Sequence, residues 1–173
     1  MKNILTILAL PLLFMAMACN NNKPAPASND TTQTAVTVKN KKVAVINNPD
    51  KNYAKLATVP DPCIKCIIGV VQTTDEFKKL NVPANSSDIK YEINWVPAET
   101  SADTASKHIS TNALKLDVIN KSKSGAVLSS FVYDNTASKL FLLKDDAKTE
   151  IKADVNGLKK IRRACYWGVA SAK

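Results

Sequence analysis

The chain has 173 residues, with 24 Lys and Arg against 15 Asp and Glu, and it contains four Cys and one His. With 45% hydrophobic and 23% charged residues, its composition lies in the ordinary range of folded soluble proteins. Collagen-like, wholly disordered and polytopic membrane classes are therefore excluded.

The N-terminal segment has the pattern of an export signal. A short basic start, Met1–Asn3, precedes a mostly apolar run from Ile4 to Met17. This run is too short to span a bilayer and matches the apolar region of a secretory signal. We therefore predict a signal peptide at residues 1–18.

The predicted signal ends in a cysteine motif. Ala16-Met17-Ala18-Cys19 resembles the bacterial lipoprotein signal, with Ala16 where a large aliphatic residue is usual. The resemblance implies that Cys19 receives acyl chains such as palmitate, becomes the mature N-terminus and anchors an exported lipoprotein to a membrane of the cell envelope. An ordinary signal peptide cut after Ala18 would instead leave Cys19 free.

The segment after Cys19 is polar. Residues 20–35 contain no large apolar side chain, so we predict a flexible, lipid-anchored tether at 19–42. Residues 43–173 are long enough to form a single globular domain. No later apolar run reaches the roughly 18 residues of a membrane-spanning helix.

Short strands and helices alternate in the first half of this domain. Strands are predicted where apolar and β-branched residues cluster or alternate, at 43–46, 64–71 and 89–95. A helical turn is possible near Tyr53. A capping box of Thr73 and Glu76 predicts a helix at about 74–80.

The second half has mainly a strand pattern. A surface loop is expected at 97–112, followed by strands at 114–118, 127–133, 140–143 and 149–153. A final helix begins at Asp154 as its N-cap. The predicted fold class is α+β, a meandering antiparallel sheet with short helices and a C-terminal helix packed on one face.

Three cysteines remain if Cys19 carries lipid, which predicts one disulfide and one free thiol. In an extended segment the Cα atoms of Cys63 and Cys66 would lie about 10 Å apart. That distance exceeds the limit of about 7 Å for a disulfide. One of the two would then pair with Cys165 and close a loop of about 100 residues.

A helical start at Asp61 and Pro62 is the alternative for this segment. The helix N-terminus would lower the pKa of the Cys63 thiol, and Cys66 would come within bridging reach, as in a redox-active C-x-x-C. A metal site is a further alternative, with Cys63, Cys66, Cys165 and His108 as ligands. Neither a metal nor another cofactor is predicted as the leading interpretation.

Candidates for catalysis are few. His108 is the one histidine and has only Ser106 or Ser110 nearby in the sequence. An envelope hydrolase centred on His108 remains a third hypothesis, but no residue pattern defines its geometry.

The mature chain carries a cationic excess. Without residues 1–18 it has eight more cations than anions. An exported protein rarely meets nucleic acid, so we predict no such partner and favour an anionic membrane surface, glycan or acidic protein. Four clustered cations are the candidate anionic-surface residues: Lys159, Lys160, Arg162 and Arg163. The preferred interpretation of these four residues is a solvated helix face whose cations suit the negative end of the helix dipole.

The sequence thus predicts an exported, membrane-anchored envelope lipoprotein with a non-catalytic binding or structural domain. The alternative is a thiol-redox or metal-binding envelope protein that uses the C-x-x-C motif.

Overall fold

The computed structural model describes residues 33–53, 58–83, 87–97, 112–122, 125–145 and 147–166. The predicted signal peptide, Cys19, His108 and most of the predicted loop at 97–112 lie outside these residues. The strands are β1 (Gln33–Val38), β2 (Lys41–Ile46), β3 (Ile89–Pro97), β4 (Asn112–Asn120), β5 (Val127–Asp134), β6 (Lys139–Lys144) and β7 (Ala147–Ile151). The helices are α1 (Asp61–Val71), α2 (Asp75–Lys78) and α3 (Val155–Tyr166), with a 3₁₀ turn at Pro49–Lys51.

The seven strands form one mixed sheet in the order β1 to β7. Five neighbouring pairs are antiparallel, whereas β2 and β3 are parallel. The fold is therefore α+β as predicted, but the sheet is not antiparallel throughout. The parallel pair arises because α1 and α2 lie between β2 and β3 and return the chain to the same end of the sheet.

The predicted strand at 64–71 is wrong, because this segment forms most of α1. Pro60 is the N-cap, Pro62 lies in the first turn where its missing N–H costs nothing, and Asp61 suits the positive end of the helix dipole. The buried residues of α1 recur with a helical period: Cys63, Ile64, Ile67, Ile68, Val70 and Val71. Their packing in the core outweighs the weak helix propensity of β-branched residues.

Two side chains fix the ends of the crossover. The Asn47 amide donates to the carbonyl of Val59 at 2.8 Å and accepts from the Val59 N–H at 3.0 Å, which ties the approach to α1 to the end of β2. The Thr74 hydroxyl donates to the carbonyl of Val71 at 2.7 Å and accepts from the Phe77 N–H at 3.3 Å. Thr74, not Thr73, is therefore the N-cap of α2.

The sheet begins earlier than predicted. Strand β1 starts at Gln33 and pairs along its whole length with β2, so residues 33–42 of the predicted tether belong to the fold. The β1 side chains of Val36 and Val38 are buried, while Gln33, Ala35 and Thr37 are exposed. An edge strand with so few apolar residues has a weak sequence signal.

One face of the sheet carries the main core. Register places Val45, Tyr91 and Val118 side by side on this face. All seven strands contribute to the same cluster, whose further buried residues include Val36, Val43, Ile93, Leu116, Phe131, Tyr133, Leu140 and Ile151. Helices α1 and α3 pack into this cluster. No helix among the described residues has the length and apolar content needed to cross a membrane.

Candidate functional site: the disulfide-linked helical layer

Helices α1 and α3 form a helical layer that brings together most of the predicted site residues. They cross closely because Gly157 of α3 has no side chain at the contact. A Cβ atom at Gly157 would lie 2.9 Å from Cγ2 of Val70 on α1. The start of α3 is fixed as predicted, since the Asp154 carboxylate accepts from the Gly157 N–H at 2.7 Å.

A disulfide joins the two helices. Cys63, in the first turn of α1, bonds to Cys165, in the last turn of α3, with 4.8 Å between their Cα atoms. Both cysteines are buried, and 102 residues separate them along the chain. The bridge therefore links the first α-helix to the last described one and closes a long loop, as expected of a structural disulfide.

The bond to Cys165, and not the helical spacing, divides the C-x-x-C motif. At about 100° per residue, Cys63 and Cys66 are only about 60° apart around the axis of α1, so the helix itself leaves them within reach of each other. Cys63 points into the core, while Cys66 is half-buried and free. The prediction that one of these residues pairs with Cys165 is confirmed, but the extended geometry used to reach it is wrong.

The environment of Cys66 disfavours the thiolate. Burial raises the pKa of the Cys66 thiol, and the nearby Lys160 ammonium offsets this only in part. A thiol protonated at neutral pH is a weak nucleophile and a poor metal ligand. The disulfide also removes the thiolates of Cys63 and Cys165 from the proposed metal set. Among the described residues, no group of three or more His, Cys, Asp and Glu could hold a metal ion.

The basic face of α3 consists of Lys159, Lys160, Arg162 and Arg163, and all four residues are exposed. The opposite side of the helix is buried in the layer through Gly157, Ile161 and Cys165. This division follows directly from the helical spacing, because the cations occupy an arc of about 160° that faces away from the core. The predicted final helix is therefore confirmed, and its four cations lie on a solvated face.

An aromatic cluster anchors the C-terminal end of α3 on the sheet. The rings of Tyr166 and Trp95 meet edge to face, with 5.5 Å between centroids, and Tyr133 lies 6.0 Å from Tyr166. Burial raises the pKa of both tyrosine hydroxyls, and for Tyr133 the positive charge of Arg162 opposes this effect. Tyr133 on the sheet therefore lies near the charge of Arg162 on the basic face.

Sequence reasoning missed the polar clusters on the other face of the sheet. Asp117 is only 6% exposed and accepts from the Ser130 hydroxyl at 2.6 Å and the Lys115 ammonium at 3.0 Å. The alternation in β4 and β5 indicates that these side chains lie on the sheet face that is turned away from the core. Only the pairing register of the two strands shows that they are neighbours. The cluster pairs its charges internally and so contributes to the sheet itself.

A shallow cleft of about 300 Å³ lies beside the start of α3, lined by Thr73, Thr74, Asp75, Lys152, Ala153 and Asp154. Its Asp154 carboxylate caps α3 and its Thr74 hydroxyl caps α2, so both have structural partners. The cleft does not include the disulfide, Cys66 or the basic face.

Comparison of the chain with protein-family models, with curated proteins and with solved structures gave no match.

Proposed function

We propose that this protein is an exported lipoprotein of the cell envelope, anchored to a membrane through acyl chains on Cys19, with a non-catalytic binding domain. The motif Ala16-Met17-Ala18-Cys19 carries the proposal. The buried Cys63–Cys165 disulfide supports it, because such bridges form and persist in oxidising compartments such as the bacterial periplasm.

The distance between anchor and domain is limited by the chain. Thirteen residues, 20–32, separate Cys19 from the first residue of β1. Fully extended, they span at most about 45 Å. An acylated Cys19 would therefore hold the domain next to the membrane surface throughout its life.

The helical layer is the proposed binding surface. Its basic face is exposed, and the disulfide and the Gly157 crossing hold it in one position relative to the sheet. A thiol-redox function is the alternative. The raised pKa of the Cys66 thiol supports the binding interpretation over this alternative, because redox thiols generally have a lowered pKa.

Metabolic labelling with an alkyne analogue of palmitate tests the anchor. Cells would express the full chain, the variant Cys19→Ala or the matched control Cys66→Ala. Label in the wild type and the Cys66→Ala variant, but not in the Cys19→Ala variant, is the expected result. The control separates loss of the acylated residue from loss of any thiol. Unlabelled wild-type protein recovered in a soluble fraction would contradict the proposal.

A further inference from the structure

Helix α3 carries cations without acids. Residues Val155–Tyr166 include four cations and no acid. Outside α3, six lysines form ion pairs with carboxylates: Lys51 with Glu92, Lys78 with Asp75, Lys79 with Glu76, Lys115 with Asp117, Lys139 with Glu150 and Lys148 with Asp134. Within the part of the chain that the structure describes, Lys159, Lys160 and Arg162 have no carboxylate partner.

The basic face lies on the outer side of α3, next to one exposed apolar residue. Val155 lies on the same side of α3 and is 62% exposed. Lys160 lies close enough to α1 to act on the Cys66 thiol, and α1 exposes Lys65. Exposed cations are therefore present on both helices of the layer. A convex helix with long cationic side chains and an exposed apolar residue can contact a flat layer of charge with all its cations at once.

The proposed acyl anchor on Cys19 would bring one flat anionic surface within reach of the basic face, namely the bilayer. The inference rests on the proposed function, because that anchor is what holds the domain near the bilayer. A tether of at most about 45 Å gives the domain a high local concentration at the membrane. Electrostatic attraction acts within roughly 8 Å of the surface at physiological salt, so close approach is needed and the tether supplies it.

We propose that the basic face of α3 docks on anionic lipid headgroups of the membrane that holds the protein, so that the helical layer lies against the bilayer and the opposite face of the sheet is directed away from it. The acyl chains supply attachment, and the basic face supplies orientation. Such a module would hold one fixed surface of the domain toward the envelope space.

Energy transfer from the native tryptophans to a dansyl-labelled lipid tests the docking. Trp95 contacts the last residue of α3, and Trp167 follows that residue in the sequence. The full chain is added to vesicles of phosphatidylcholine alone or with about 30% phosphatidylglycerol. Flotation of the vesicles reports attachment separately from docking. If the acyl anchor fails, the protein does not float with the vesicles of phosphatidylcholine alone.

The comparison uses two variants with the same loss of charge. The first carries Lys159→Gln, Lys160→Gln, Arg162→Gln and Arg163→Gln. The matched control carries Lys39→Gln, Lys42→Gln, Lys90→Gln and Lys121→Gln, at positions on the opposite sheet face or in turns. Thermal unfolding confirms that both are folded. If the first variant unfolds, the pair Lys159→Glu and Lys160→Glu replaces it.

We expect greater transfer on the anionic vesicles for the wild type and the control, and loss of the excess in about 0.5 M NaCl. The α3 variant should lose at least about tenfold in the docking constant, because each cation near the surface contributes to attraction. Equal transfer on both vesicles, or an equal loss in the control, would overturn the proposal. Equal transfer together with salt-sensitive binding of the basic face to an anionic polysaccharide would assign the surface to a glycan instead.

Discussion

At the scale of single residues, Asp134 shows how a buried charge can be tolerated on the sheet. Its carboxylate is 1% exposed and ends β5. One oxygen accepts from the N–H groups of Thr136 and Ala137, at 2.9 and 3.2 Å, and from the Thr136 hydroxyl. The other lies 3.5 Å from the Lys148 ammonium. The β5–β6 turn is thus built around this one acceptor.

We predict that Asp134→Ala lowers the free energy of unfolding by about 2–3 kcal/mol at neutral pH. Burial alone would raise the pKa of the Asp134 carboxyl, but the hydrogen bonds from Thr136 and Ala137 and the charge of Lys148 lower it. The stabilisation is therefore present above the unfolded pKa of about 3.9 and is lost as pH falls through the lower folded value.

Urea unfolding of wild type and variant between neutral and acidic pH measures this effect. Asp145→Asn is a suitable control, because Asp145 is exposed in a turn with φ 48°, a conformation that Asn also adopts. A difference between wild type and Asp134→Ala that stays constant down to the lowest pH would show that the carboxylate charge is unimportant.

At the scale of elements, the contact between α1 and α3 depends on a missing side chain. In Gly157→Ala the new Cβ would meet Val70 at 2.9 Å. We expect a net loss of about 1–2 kcal/mol, because overpacking exceeds the gain in helix propensity. The matched control is Gly69→Ala in α1, where a Cβ has no neighbour within 4 Å, and it should gain about 0.5–1 kcal/mol.

Equilibrium unfolding in urea measures both changes. In a Val70→Ala background, Gly157→Ala should cost less than it does in the wild type, because the atom that the new Cβ meets is absent. If Gly157→Ala stabilises the protein as much as Gly69→Ala, the two helices do not cross at the distance described.

The disulfide is the second determinant of the helical layer. Removing it with Cys63→Ala and Cys165→Ala should lower the free energy of unfolding by about 4–5 kcal/mol, since the bridge closes a loop of about 100 residues. The control Cys66→Ala should cost less than about 2 kcal/mol, because only a half-buried thiol is lost. Denaturant titration under oxidising conditions gives both values. Equal costs for the two proteins would contradict a structural role for the bridge.

At the scale of the whole molecule, strand patterns were easier to predict than the crossover. The alternation from Ile89 to Trp95 has one buried and one polar face, so β3 was recognised. The run from Ile64 to Val71 is apolar on nearly every residue, so its period does not distinguish a strand from a helix. The helix start at Asp61 and Pro62 favours a helix, whereas the β-branched residues that follow favour a strand, so the sequence signals conflict in this segment.

The same misassignment affected the topology. Without α1 between β2 and β3, nothing required a parallel pair, and an antiparallel meander was the simplest arrangement. Cysteine number predicts one bridge among Cys63, Cys66 and Cys165, but the choice of Cys165 as a partner rested on an extended geometry that α1 does not have. The position of Cys66 beside Lys160 was not predictable, because it depends on how α1 and α3 cross.

The tyrosines of the core predict how the molecule as a whole responds to alkali. Burial raises the pKa of the Tyr91 hydroxyl to about 12, and it also raises the pKa values of Tyr133 and Tyr166. In the unfolded chain these groups ionise near pH 10. Their contribution is therefore present below about pH 10 and is lost as pH rises toward the folded values, so stability should fall above this pH.

Thermal unfolding as a function of alkaline pH, followed by circular dichroism, tests this expectation. Tyr166→Phe should lessen the fall, because one buried ionisable hydroxyl is removed. Tyr53→Phe, at an exposed tyrosine, should leave the curve unchanged. A wild-type transition that does not move above pH 10 would mean that these hydroxyls are hydrated in the folded protein.

The central claim is that a disulfide-stapled domain is held on a membrane by a lipid on Cys19. Mass spectrometry of the protein from native membranes, with free thiols alkylated and disulfides left intact before digestion, tests it most directly. The account predicts an N-terminal peptide that begins with acylated Cys19, a linked pair of peptides containing Cys63 and Cys165, and alkylated Cys66. A chain with unmodified Cys19, or with a bridge between Cys63 and Cys66, would contradict it.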